Sequence, residues 1–297
     1  MQKSIWLGIL GIAFAGAASG QIKKQFTVEN TTSCETVRLK LKASSGNCFI
    51  KPSQNPEILN VFSNLDETAY AHKYRKEIKG KVCDVSLNLE EISTDAFGRS
   101  ISTKVFGASV TSGEKIWKMY LTDSKPYFLE LNYGVGNAHV DLSGLSIKTL
   151  KINTGSADVN VGYYGVENQV DMDTFSVKVD LGSVNVKNLN LSRARYMVAD
   201  VGFGNMMLDF SNQPLIRNTI KGSVGAGNLV IIIDPKTPVL IKIKDSWLCS
   251  VKMPKSLKKN ENGSYTSTAY SKDSKNALVF DLDVSMGNIV FKEAASK

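Results

Sequence analysis

A chain of 297 residues of which 42% are hydrophobic can bury a large core, and that composition excludes an intrinsically disordered chain. It holds two histidines and four cysteines, and no C-x-x-C pair, H-E-x-x-H or G-x-S-x-G segment occurs, so the sequence carries no zinc, dithiol or hydrolase signature. The formal net charge of +8 favours acidic partners over basic ones.

The first segment, residues 1–20, reads as an export signal. Lys3 gives a basic start, Ile5 to Ala18 an apolar run, and Ala18-Ser19-Gly20 a small-residue cleavage site before Gln21. The run is shorter than the roughly 20 residues that cross a bilayer. No cysteine follows it to accept a lipid. The mature chain is therefore expected to begin at Gln21, outside the cytoplasm, periplasmic or at the cell surface, with no transmembrane segment.

Residues 26 to 50 read as a first coil, ending in the corner SSGNCFI with Gly46 and Asn47. From Pro52 to Phe128 the pattern is lost. That interval holds strand-like alternation (Val82, Val85, Leu87, Leu89) and a polar stretch, Asp66 to Lys79, readable as a helix or a hairpin tip. More coils with long excursions, or an insertion covering one end, would account for it. The corner then recurs as YGVGNAHV (Gly136, Asn137), TGSADVNV (Gly155, Asp158), LGSVNVKN (Gly182, Asn185), VGFGNMML (Gly204, Asn205), VGAGNLVI (Gly227, Asn228) and SMGNIVF (Gly287, Asn288). Between the Asn or Asp positions the spacings are 158−137=21, 185−158=27, 205−185=20 and 228−205=23, one solenoid coil per repeat. A second interruption runs from Asp234-Pro235 to Leu278, with a turn predicted at Asn262-Gly263.

At nearly every corner the parity of the apolar residues flips. Leu129, Leu131, Tyr133 and Val135 give way to Ala138, Val140 and Leu142, and Val177, Val179 and Leu181 to Val184 and Val186. A strand alternates faces residue by residue, so a corner that consumes an odd number of residues is needed to keep both sets inside. The Val201 corner stands apart, because Tyr196 and Val198 share parity with Met206 and Leu208. The fold class is all-β: a single-chain β-helix of stacked coils with Gly-Asn or Gly-Asp corners and long loop excursions. Glycine is expected to supply φ > 0 at the corners, and the Asn side chains to form ladders between coils. A calcium-binding glycine-rich repeat needs a much shorter tandem period.

Among the cysteines, Cys34 to Cys48 is the most local pairing, and the alternative makes Cys48 a small buried hydrophobe. Cys249 is expected to lie too far along the solenoid to reach either. Basic residues gather at His72 to Lys76 and at Lys252, Lys255, Lys258 and Lys259, the latter a weak electrostatic binding candidate; the alternative is a solvated edge. Neither cluster has the interleaved aromatics of a nucleic-acid platform. His139 reads as an exposed strand residue. The outward acids Asp141, Asp158, Asp180 and Asp209 offer no selected acid/base pair, and the outward aromatics that would stack on sugar rings, Tyr163 and Tyr164, are few and adjacent and sit as easily at a turn. No catalytic residue, metal site or cofactor is assigned.

Residues Trp117 to Gly162, with KPYFLELNYGVGNAHVDLSGL and LKINTGSADVNVGY, and a tail with Asp234-Pro235, Gly263-Ser264-Tyr265 and Met286-Gly287-Asn288, resemble the toastrack-type β-helical family. Its members carry adhesin and cell-wall-active antibiotic response labels. The resemblance is good over 115–297 and loose over 26–114, which divides the chain into residues 1–20, an N-terminal part 21–114 with an insertion, and a toastrack-like β-helix 115–297. It implies a bacterial cell-envelope module linked to adhesion or envelope stress. Many relatives carry several transmembrane helices before this domain, and this chain has only an export signal. Two functions follow. The first is a non-catalytic binding or scaffold module for an envelope protein or an anionic surface polymer, not nucleic acid. The second is a β-helix carbohydrate-active enzyme using carboxylates as acid and base.

Overall fold

The computed structural model describes residues 22–65, 70–91 and 115–295; residues 1–20, read above as an export signal, Gln21 and the side chain of His72 lie outside the described residues. In chain order the strands begin with β1 (Lys23–Val28), β2 (Thr36–Ala43), β3 (Asn47–Ser53), β4 (Leu59–Ser63), β5 (Tyr70–Lys79), β6 (Val82–Glu91) and β7 (Ile116–Thr122). The regular part follows as β8 (Pro126–Tyr133), β9 (Asn137–Asp141), β10 (Ser146–Thr154), β11 (Asp158–Gly162), β12 (Met172–Val179), β13 (Ser183–Lys187), β14 (Ala194–Val201) and β15 (Asn205–Phe210). The last are β16 (Asn218–Val224), β17 (Asn228–Ile233), β18 (Val239–Asp245), β19 (Ser250–Lys252), β20 (Lys258–Lys259), β21 (Tyr265–Thr266), β22 (Leu278–Val284) and β23 (Asn288–Glu293).

Two sheets form the β-helix. Sheet A has the order β1-β4-β7-β3-β9-β11-β13-β15-β17-β23-β19, and sheet B the order β20-β21-β18-β22-β16-β14-β12-β10-β8-β2-β6-β5. Each regular coil is one strand of sheet B, a tight corner, one strand of sheet A and a longer return loop. Successive coils pair in parallel, as β10 with β12 and β11 with β13. Spatial order departs from chain order at both ends. The β6/β7 coil stacks outside β2/β3, and β22/β23 is inserted between β16/β17 and β18/β19.

Antiparallel strands close three of the four sheet ends, β4 and β1 on sheet A, β5 and then β21 and β20 on sheet B, while the far end of sheet A is the short parallel strand β19. They cover edges that would otherwise offer unpaired backbone groups. The polar stretch is therefore a hairpin strand from Tyr70 to Lys79, β5, turned into β6 at Gly80 with φ +62°. The Asn262-Gly263 turn joins β20 to β21, with Gly263 at φ +80° donating its N–H to the Asn260 carbonyl at 3.0 Å.

Inward residues stack in columns. Cys48, Ala138, Val159, Val184, Met206, Leu229 and Ile289 form one, and Ile50, Val140, Val161, Val186, Leu208, Ile231 and Phe291 the next; all are buried. Each fully buried aliphatic side chain contributes about 1.5–3 kcal/mol, so a column one residue wide spreads the stabilisation evenly along the axis.

The corners hold three residues, such as Gly134-Val135-Gly136, Asp180-Leu181-Gly182 and Gly202-Phe203-Gly204. The middle N–H donates to the preceding coil, Phe203 to the Asp180 carbonyl and Met286 to that of Gly225, both at 2.8 Å. The middle side chain is thrown outward: Val135 is 53% exposed, Leu181 64%, Phe203 72% and Met286 58%. Val135 and Leu181 are thus not part of the inward set expected from parity. The Val201 corner is not an exception either. Met197, Ala199 and Val201 are its buried set, Tyr196 points outward, and the flip to Met206 and Leu208 follows the rule.

Two corner assignments change with the register. Ser183, not Asn185, aligns with Asp158 and Asn205, while Asn185 donates from Nδ2 to Asn160 Oδ1 at 3.2 Å. Gly155 occupies the first corner place and the buried Ala157 the third. The amide ladder runs from Asn137 to Asn47 at 2.9 Å, and from Asn288 through Asn228 to Asn205 at 2.7 and 2.8 Å. It is interrupted where Asp158 and Ser183 take the place. Among the corner glycines only Gly46 and Gly136 have positive φ, +101° and +103°. The others are required for a different reason, the closeness of the neighbouring coil.

The disulfide joins Cys34 to Cys83, with Cα atoms 5.6 Å apart. This corrects the Cys34 to Cys48 pairing. Cys34 sits just before β2, and β6 is the neighbour of β2, with Cys83 opposite Val37. Cys48 lies on the other sheet, buried between Trp117 and Ala138, where burial pushes its thiol up to about 12. Cys249 is half-buried before β19 and unpaired.

Candidate functional site

The two outer faces differ in charge. On sheet B several exposed cations are matched to acids on adjacent strands: Arg38 to Asp84 at 2.8 Å, Lys40 to Glu130 at 3.2 Å and Lys244 to Asp283 at 3.4 Å. At the return-loop edge Arg193 meets Asp171 at 2.7 Å and Glu167 at 3.4 Å. Among the described residues no ion pair involves Lys24, Lys51 or Lys118, which project from sheet A.

Strand register builds a row from these lysines. Lys24 on β1 stands opposite Phe62 on β4, Phe62 opposite Lys118 on β7, Lys118 beside Phe49 on β3, and Phe49 beside His139 on β9. Partners in register share a face. Their chain neighbours Trp117, Met119, Cys48, Ile50, Ala138 and Val140 are buried, so the row faces outward. A second row places Tyr120 between Asn60 and Lys51. The Phe49 and His139 rings stack at 5.3 Å and 12°, and Phe62 meets Tyr120 edge-on at 5.7 Å and 88°.

Two shallow depressions open here. One, of about 400 Å³, has Phe62 and Lys24 in its lining, with Asn55 and Ser53 at its rim. The other, of about 280 Å³, has Phe49 and Lys51. Lys118 and Tyr120 line both. Each depression thus combines an apolar ring with an ammonium group, an arrangement that suits an amphipathic anionic ligand. Row neighbours are about 4.8 Å apart, so Lys24 and Lys118 stand roughly 10 Å apart with no acid between them.

The other residues picked out in the sequence are dispersed. Lys252 ends β19 on sheet A, Lys255 follows in the loop, and Lys258 and Lys259 lie on β20 at the edge of sheet B, so that cluster is split over two sheets. Lys259 reaches over Tyr265, with Nζ 5.8 Å from the ring centre. Asp141 and Asp209 accept hydrogen bonds from Ser143 and Ser211 in local turns, and Asp180 pairs with Lys178 at 3.3 Å. Tyr163 is fully buried and Tyr164 about half exposed. His139 is exposed as expected, but stacked on a ring.

Sequence reading missed Phe49, Phe62, Lys118 and Tyr120. They belong to three separate strands, β3, β4 and β7, and β7 stacks against β3 only because the coils are permuted at this end. Outward parity of Phe49 between Cys48 and Ile50 was the available signal.

The sequence profile described as the N-terminal domain of toast_rack, DUF2154, matches residues 16–187. No curated protein matches the chain. Among solved structures, a "putative cell adhesion protein" from Clostridium sporogenes ATCC 15579 has a TM-score of 0.47 at 16% identity, covering 92% of this chain and 100% of that one. A "Putative lipid binding protein" from Parabacteroides distasonis ATCC 8503 has a TM-score of 0.32 at 8% identity, covering 91% of this chain and 96% of that one.

Proposed function

This chain belongs to the toast-rack N-terminal domain family, and we propose that it is a non-catalytic binding module whose sheet A holds an acidic carbohydrate polymer of the cell envelope. The observation that carries this reading is the in-register row of lysines and aromatic rings, in no ion pair among the described residues, while on the opposite face Arg38, Lys40 and Lys244 are matched to acids. Lysines held near one another without counter-charge are favourable only when an anion is present. Rings beside them cover the C–H faces of sugars. Read as an export signal, residues 1–20 would carry the protein out of the cytoplasm, to where such polymers are found. A rigid sheet loses little entropy on binding an extended chain.

Retention of the mature protein on beads carrying an acidic polysaccharide tests the proposal. Retention is expected at low salt and should fall as ionic strength passes about 0.15 M, where the screening length shortens to about 8 Å. Lys24→Gln with Lys118→Gln should reduce it strongly, and Lys255→Gln, Lys258→Gln and Lys259→Gln much less. Retention indifferent to salt and to Lys24 and Lys118 would remove the proposed face. Release of soluble sugar from the polymer would instead establish the carbohydrate-active enzyme.

A further inference from the structure

The order of side chains along the row is itself informative. It reads Lys24, Phe62, Lys118, Phe49, with cation and ring alternating strand by strand. Adjacent strands lie about 4.8 Å apart, close to the length of one pyranose unit in an extended glycan. A chain lying across the strands, along the solenoid axis, therefore meets one row residue per sugar. Along a strand the pattern is different, since Lys118 is followed on the same face by Tyr120.

Resting on the reading of sheet A as a site for an acidic polymer, we infer that the polymer carries its anionic group on every second sugar. Charge at each unit would set an acid over the Phe62 and Phe49 rings as well, which offer it no hydrogen-bond donor, beside lysines already paired to the neighbouring units. A neutral polymer would cover Lys24 and Lys118 without pairing them, which is equally unfavourable. The two depressions repeat the unit: Phe62 with Lys24 in one, Phe49 with Lys51 in the other, and Lys118 shared. One acidic disaccharide occupies each. The anion is a carboxylate, phosphate or sulfate, because an ammonium group accepts all three as point charges.

The site is also bounded. After His139 the row continues on β11 and β13 as Asn160 and Asn185, whose amides bond to each other at 3.2 Å. The charged and aromatic surface therefore spans five strands, from β1 to β9, enough for about two disaccharides at one sugar per strand.

Titration calorimetry of the mature protein with octasaccharides tests the alternation. The probes are hyaluronan, acidic on alternate units; polygalacturonate, acidic on each; and a neutral chitin oligomer. Hyaluronan is expected to bind roughly tenfold or more tightly than polygalacturonate, the effect of leaving a charged group unpaired, and chitin not measurably. Phe62→Lys should reverse the order of the two acidic probes while leaving the far-ultraviolet spectrum intact. Equal or tighter binding of polygalacturonate by the unaltered protein would overturn the alternation and leave the acidic-polymer reading standing. Binding to neither acidic glycan, or tighter binding of a single-stranded oligonucleotide or a poly-glutamate peptide, would overturn both.

Discussion

The carbonyl oxygen of Gly182 lies 2.3 Å from where a Cβ on Gly204 would stand. The relationship repeats upward, with the carbonyl of Gly204 2.2 Å from the Cβ place of Gly227 and that of Gly227 2.3 Å from the place of Gly287. These glycines are not in the left-handed region. They are needed because successive corners pass backbone against backbone, and a methyl group has nowhere to go.

Gly204→Ala should therefore destabilise the protein by about 1–3 kcal/mol through crowding. Gly263→Ala, at φ +80° with open space around it, should cost only about 1 kcal/mol of backbone strain. Denaturant midpoints at constant m compare them; a cost at Gly204 no greater than at Gly263 would contradict the steric account.

Non-reducing peptide mapping should recover Cys34 joined to Cys83. Reduction should lower stability by about 2–4 kcal/mol, since the bridge closes a long loop. In the native protein a maleimide at pH 8 should label Cys249 and spare Cys48, whose buried thiol is raised to about 12 and stays protonated. Labelling of Cys48 as fast as in the unfolded chain would mean that the β3 column is open.

Cleavage before Gln21 would leave two tryptophans, Trp117, 1% exposed, and Trp247, 90% exposed at the corner of the last coil. Acrylamide should quench only part of the emission of the cleaved protein. In Trp247→Phe the remaining fluorescence should be blue-shifted and resistant. Full quenching in that variant would place Trp117 in solvent.

Asp171 is held below the usual aspartate range by hydrogen bonds from Arg193 and then Arg195. A depressed folded-state value contributes stability that is present above the unfolded value near 3.9 and is lost as pH falls through the folded one. The wild type should therefore lose stability between about pH 4 and 2 more steeply than Asp171→Asn, by less than about 1 kcal/mol because the pair is partly solvated. Parallel acid limbs in the two proteins would show that the pair contributes nothing.

Local pattern determined the architecture. Alternating Val, Leu and Ile, with small residues at intervals of one coil, leaves only a solenoid in which each strand buries one face, so the β-helix and most inward residues could be read directly. Tyr196 and Leu181 misled because an apolar side chain next to a corner can point either way, and only the neighbouring coil decides. Tertiary structure alone decided the order of stacking. Residues 52–128 supply β7 to the outer side of β3, and β6 to the outer side of β2, which pairs Cys34 with Cys83 and brings Lys118 between Phe62 and Phe49. Contacts between coils are set by backbone hydrogen bonds common to every strand, so nothing in the side-chain pattern of one strand names its neighbour. The candidate site lies across those choices, and it is made of residues that are distant in the chain and adjacent only through register.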